Sequence, residues 1–250
     1  MPEILGELLA YEGLGWLISG VFLAGAVRGF TGFGAALVYM PIAGQFMPPV
    51  WALITLVLME VVGPLPNIPA AIRTARLDEV RRLATGALIA LPLGLLILFA
   101  IDPALFRYGV CIMTLTVPVL LACGIRLRRA IGPGLQYGTG TLSGFLGGVA
   151  GVPGPPVILL FMASERPAWV IRANVMLYLL VFDLATIALL TAQGRMEMMP
   201  VLLGAVLVLP NLLGNLAGAA MFRPERQRLY RSAGYGITLL SGLAGLPLWD

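Results

Sequence analysis

Long apolar runs separated by short polar stretches recur from one end of the chain to the other. They divide it into ten segments, roughly 13–28, 31–45, 50–71, 83–100, 104–124, 133–149, 154–164, 168–192, 197–220 and 232–248. At about 1.5 Å of helical rise per residue, segments 31–45 and 154–164 are too short to cross the ~30 Å hydrocarbon core of a bilayer. The pattern predicts an all-α polytopic membrane protein, with about eight to ten helical segments, two of them unable to span.

Composition sharpens that reading. The chain is 59% hydrophobic and 11% charged, with a mean hydropathy of +0.95, whereas soluble domains carry roughly 25% charged residues. No polar stretch is long enough for a separate soluble domain, so one transmembrane domain is expected over residues 1–250. The start, "MPEILGELLAYEG", lacks the basic region of a signal peptide, so no cleavage is expected. The chain has no histidine, and its 16 basic residues are all arginine. Histidine-based metal sites, Ser-His-Asp catalysis and a Gly-x-x-x-x-Gly-Lys nucleotide loop are therefore excluded, and no cofactor or metal is expected. Cys111 and Cys123 fall on one predicted helix about 18 Å apart, too far for a disulfide.

The net charge of +4 is explained by where the arginines fall, and no nucleic-acid partner is expected. Four connections hold Arg73, Arg76, Arg81 and Arg82; Arg126, Arg128 and Arg129; Arg166 and Arg172; and Arg223, Arg226, Arg228 and Arg231. The other connections hold only Arg107 and Arg195. The positive-inside rule then places the four rich connections in the cytoplasm and both termini outside, in the cell (inner) membrane. That orientation closes only if segments one and two form a pair entering from outside, and segments six and seven a pair entering from inside. The chain is thus expected to be an inverted repeat, with halves at about 13–124 and 133–248. "GAALVYMP" from Gly34 and "GPPVILLF" from Gly154 echo each other in support.

The short segments are each preceded by a glycine-rich break, "RGFTGFG" from Arg28 and "GGVAGVPGPP" from Gly147. Inverted-repeat transporters bind substrate where discontinuous helices meet near the bilayer midplane. A helix starting there offers unpaired N–H groups and the positive end of its dipole, both suited to an anion. Arg28 adds a full charge and a planar fork of donors. The expected substrate site therefore comprises Arg28, Gly29, Phe30, Thr31, Gly32, Phe33 and Gly34 with Gly151, Val152, Pro153, Gly154 and Pro155. Asn67 and Asn174 are further candidates for its lining. Glycines in membrane helices also serve close packing, and Gly25, Gly29 and "SGFLGG" have that reading open to them.

At "GFTGFGAALVYMPI" and "GFLGGVAGVPGPPVILLF" the chain resembles the TauE/SafE family of sulfite-exporter-like transporters. The likeness in layout extends over nearly the whole chain. It departs from the family at Val152-Pro153-Gly154-Pro155-Pro156, where a run of glycines is common. The resemblance implies secondary transport of small sulfur-containing anions, sulfite or organosulfonates, and gives no direction. Two carboxylates, Glu60 and Asp183, fall inside apolar segments and are coupling candidates, as proton carriers or as partners for an arginine. Asn211 and Asn215, four apart, could line the cavity or bond helix to helix, and Ser143 is a further hydroxyl donor. An enzyme is not expected, since no reacting constellation is present. The alternatives to a transporter are an anion channel and a membrane scaffold. The expected partners are a small anionic substrate, membrane lipid, and H+ or another coupling ion.

Overall fold

The computed structural model describes residues 6–8, 10–31, 33–122, 131–162, 166–221 and 227–247, and among these the regular structure is entirely helical. We number the helices from Leu14: α1 (Leu14–Thr31), α2 (Ala35–Phe46), α3 (Pro49–Val62), α4 (Ile68–Thr74), α5 (Leu77–Ala100) and α6 (Pro103–Ala122). After them come α7 (Pro133–Ala150), α8 (Gly154–Met162), α9 (Ala168–Ala192), α10 (Met198–Met221) and α11 (Gln227–Ala244). By length and composition α5, α6, α9 and α10 can cross a membrane, while α2, at 12 residues, and α8, at 9, cannot.

Helix starts follow simple chemistry. Proline opens α3, α6 and α7, where its missing N–H has no helical partner to lose. Asp102 caps α6 by accepting from the Ala104 N–H at 2.8 Å. Two boundaries depart from the apolar pattern. The single segment 50–71 is broken after Val62 into a 3-10 turn, Leu65–Asn67, and α4, because Pro64 and Pro66 cannot supply the N–H groups that would carry α3 onward. The polar stretch before residue 83 is helical from Leu77, with Asp78 and Glu79 placed favourably in the first turn of α5.

Two close helix pairs form the frame. In one, α5 lies along α7; in the other, α1 lies along α10. Both rest on glycine. A Cβ at Gly144 would overlap the Ala87 carbonyl, and one at Gly25 or Gly29 would overlap the backbone of Asn211 or Asn215. Bare backbone at these points lets the axes approach closely, which replaces the hydrophobic drive missing between helices in lipid. Further contacts join α3 to α10, α9 to α5, and α3 to α9.

The connections sort to two ends. At one, Tyr11 donates to the Phe46 carbonyl at 2.8 Å, Trp51 donates to Glu197 at 3.1 Å, and the Arg195 guanidinium lies 4.7 Å from the centre of the Phe99 ring. At the other, Arg166 pairs with Glu79 at 2.5 Å and Arg82 donates to Gln136 at 3.1 Å. The described arginine-rich connections thus share one end, with Arg195 at the opposite one.

Candidate functional site

α1 and α2 enter from the end that holds Phe46 and Trp51, and the chain has reversed by Phe33 and Gly34. α7 and α8 enter from the arginine-rich end and reverse over residues 151–153. Each reversal is made possible by one left-handed glycine, Gly34 at φ 95° and Gly151 at φ 70°. Side chains disfavour that conformation because Cβ crowds the backbone carbonyl. The Gly151 N–H also closes α7 by donating to the Gly147 carbonyl at 2.8 Å. The second reversal is held from outside its own segment. Ser143 of α7 donates to the Pro153 carbonyl, and its hydroxyl lies 2.6 Å from that of Tyr178 on α9. Both side chains are fully buried.

The two reversals meet at one cavity of about 40 Å³, above the 10–15 Å³ that one water requires. Phe33, Gly34, Ala35, Ala36 and Leu37 come to it from the first reversal, and Gly151, Val152, Pro153, Gly154 and Pro155 from the second. Arg28, Glu60 and Asp183 complete its polar wall. Asp183 lies 15 residues into α9, about 22 Å from the start of that helix, so the cavity is deep within the bundle.

The two helix N-termini are unequal. At the start of α2 the N–H groups of Ala35, Ala36 and Leu37 have no partner within the helix, and the first helical bond is Val38 N–H to the Gly34 carbonyl at 3.3 Å. At the start of α8, Pro153, Pro155 and Pro156 have no N–H, which leaves that of Gly154 as the donor of the first turn before Val157. The departure from a glycine run at this point therefore removes backbone N–H donors. It also stiffens the turn.

Charge is arranged as a cluster. Arg28 donates to Glu60 Oε2 across 32 residues of chain, with the two side chains only 12% and 10% exposed. Glu60 Oε1 is buried and has no hydrogen-bond partner among the described residues. Asp183 is buried too and lies on the wall of the same cavity. With both carboxylates ionised, the fixed charges of this wall sum to −1.

Several expected site residues lie elsewhere. Gly29 faces the backbone of α10, where close packing excludes any side chain, and does not line the cavity. Asn174 is held at the arginine-rich end, donating to Glu79 at 3.0 Å and accepting from the Arg76 N–H at 2.8 Å. Asn67 lines a separate polar cavity of about 70 Å³, into which Arg28 also reaches, together with Arg172 and Asn215. Asn211 donates to the Met59 carbonyl at 3.5 Å and so joins α10 to α3. Gly32 and the side chains of Phe30 and Thr31 lie outside the described residues. The sequence pattern did not mark Tyr178. Its hydroxyl meets Ser143 only because α9 packs beside the second reversal.

No curated protein and no solved structure matches the chain. A family model described as "Sulfite exporter TauE/SafE" matches residues 17–245, which takes in both reversals, Arg28, Glu60 and Asp183. The chain belongs to the TauE/SafE family of sulfite-exporter-like membrane transporters.

Proposed function

We propose that this protein is a secondary transporter of small sulfur-containing anions, sulfite or short organosulfonates, which bind in the cavity between the two reversals. The observation that carries this reading is the meeting, in one deep cavity, of both glycine breaks with Arg28. In the bound state the guanidinium and the N–H groups at the start of α2 hold the anion's oxygens, with geometry suited to two parallel charge-assisted hydrogen bonds. The three prolines at the start of α8 leave its face of the cavity mainly apolar, which suits the hydrocarbon part of a sulfonate.

A cavity wall that sums to −1 repels an anion. Protonation of Asp183 brings the sum to zero, and protonation of Glu60 as well frees Arg28 from its partner. Proton and anion therefore occupy the cavity together in this reading, with Asp183 and Glu60 as the coupling groups. The unpartnered Oε1 of Glu60 supports that role.

The two halves of the chain act as an inverted repeat. Support comes from reciprocal packing: α1 lies on α10 as α7 lies on α5, and α3 touches α10 as α9 touches α5. The arginine-rich end faces the cytoplasm and both termini face outside, in the cell membrane. Uptake of a panel of labelled anions into proteoliposomes at several pH values tests the whole reading. Sulfite or a sulfonate is expected to be taken up faster than chloride, nitrate or acetate, and faster at lower pH. Equal uptake of all anions would overturn the substrate assignment.

A further inference from the structure

The polar cavity lined by Arg28, Asn67, Arg172 and Asn215 is not absorbed by the central site. Its position follows from helices it shares with that site. On α9 the central cavity takes Leu179 and Asp183, and the polar cavity takes Arg172, Val175, Met176 and Leu179. On α3 and the turn after it, the central cavity takes Leu56 and Glu60, and the polar one Gly63, Pro64 and Asn67. The two cavities are therefore stacked along both elements, with the polar one nearer the arginine-rich end. On the unbroken helix α9, Arg172 of the polar cavity and Asp183 of the central one are eleven residues, about 16 Å, apart. Arg28 and Leu179 are the residues common to both walls.

Their chemistry differs. The wall of the central cavity carries two carboxylates against one arginine, whereas the polar cavity has two guanidiniums, two carboxamides and no carboxylate. Among the described residues the side chains of Arg172 and Asn215 have no ion pair or hydrogen bond. Arg172 is exposed, so its charge can meet an anion arriving from solvent.

We infer that this cavity is a second anion site, an entry subsite for a sulfur oxyanion on the arginine-rich side, and that Arg28 passes the anion from it to the central site. The inference rests on the transport reading for its direction of travel, but not for binding. An anion here meets Arg172 and the carboxamides of Asn67 and Asn215 while the central site is still closed by the Arg28–Glu60 pair. It then competes with Glu60 for the guanidinium. Release of Glu60, completed by its protonation, opens the way inward, so anion and proton together unlock the pair.

The test is equilibrium binding of radiolabelled sulfite to the purified full-length protein in phosphatidylcholine nanodiscs, together with sided exchange in proteoliposomes. Two sulfites per chain are expected for the wild type and one for Arg172→Gln and Asn215→Leu. In exchange, both variants should raise KM about five- to tenfold when sulfite is varied on the arginine-rich side. KM on the other side should stay within twofold. Arg81→Gln removes a charge at the same end from an exposed pair with Asp78, and should change neither KM by more than twofold. One binding site in the wild type, or equal rises in KM on both sides, would overturn the entry subsite. Loss of the second site on adding phosphatidylglycerol would show a lipid headgroup as the occupant and would overturn it as well. Two binding sites without any exchange would sustain the subsite and overturn the transport reading.

Discussion

Removing the Arg28 guanidinium perturbs two things at once, and the structure shows how to separate them. Arg28 is the partner of Glu60, with both side chains about nine-tenths buried. Breaking a buried pair from one side strands the other charge and typically costs about 3–5 kcal/mol. Here Glu60 already has one oxygen without a partner, so the carboxylate left in Arg28→Ala has no compensation at all. Arg28→Ala should therefore be destabilised by about 3–5 kcal/mol, a large part of the 5–15 kcal/mol that holds a typical protein folded. Arg28→Ala with Glu60→Gln removes the stranded charge and should regain most of that loss. Anion affinity behaves differently. Charge-assisted hydrogen bonds contribute roughly 1.5–3 kcal/mol, so both variants should bind sulfite about ten- to a hundredfold more weakly than the wild type. Thermal unfolding of monodisperse protein measures the first quantity, and equilibrium binding of labelled sulfite the second. Stability restored with binding still lost is the expected pattern. Wild-type affinity in the folded double variant would refute Arg28 as an anion ligand.

The remaining predictions concern coupling, the reversals and orientation. Protonation of Asp183 removes a negative charge from the cavity, so sulfite binding should strengthen as pH falls. Asp183→Asn fixes the neutral form and should flatten that dependence while retaining exchange; an unchanged pH profile of uptake would remove Asp183 from coupling. Gly151→Ala should cost about 1–2 kcal/mol from its left-handed φ alone, and its Cβ would also stand 2.8 Å from Met40 Cε, so loss of both stability and exchange is expected. Gly154→Ala should remain stable, because its Cβ meets Ile158 at an ordinary 3.5 Å; Gly154→Leu should fold yet abolish exchange by filling the cavity. With Cys111 and Cys123 replaced, cysteines placed at Arg76, Arg128 and Arg226 should resist an impermeant thiol reagent added to intact cells. Labelling at any of the three would reverse the proposed orientation.

Much of this architecture is legible in one sequence because its causes are local. Apolar run length separates helices that can cross a bilayer from α2 and α8, and proline marks the starts of α3, α6 and α7 whatever lies beside them. Glycine-rich breaks next to a lone membrane arginine pointed to the reversals for the same reason: their backbone requirement is written at the position itself. Tertiary structure decided what each polar or glycine residue meets. Gly29 and Gly34 sit in the same motif, yet one is pressed against α10 and the other turns the chain at φ 95°, a difference set by the neighbouring helix. Asn174 had the composition of a cavity residue, but Glu79 and Arg76, nearly a hundred positions earlier, hold it at the end of the bundle. Glu60 and Arg28 likewise become a pair only when α1 and α3 both pack on α10. Apolar periodicity is a property of one segment, whereas ion pairs and cavities belong to surfaces that come together only when segments distant in the chain pack.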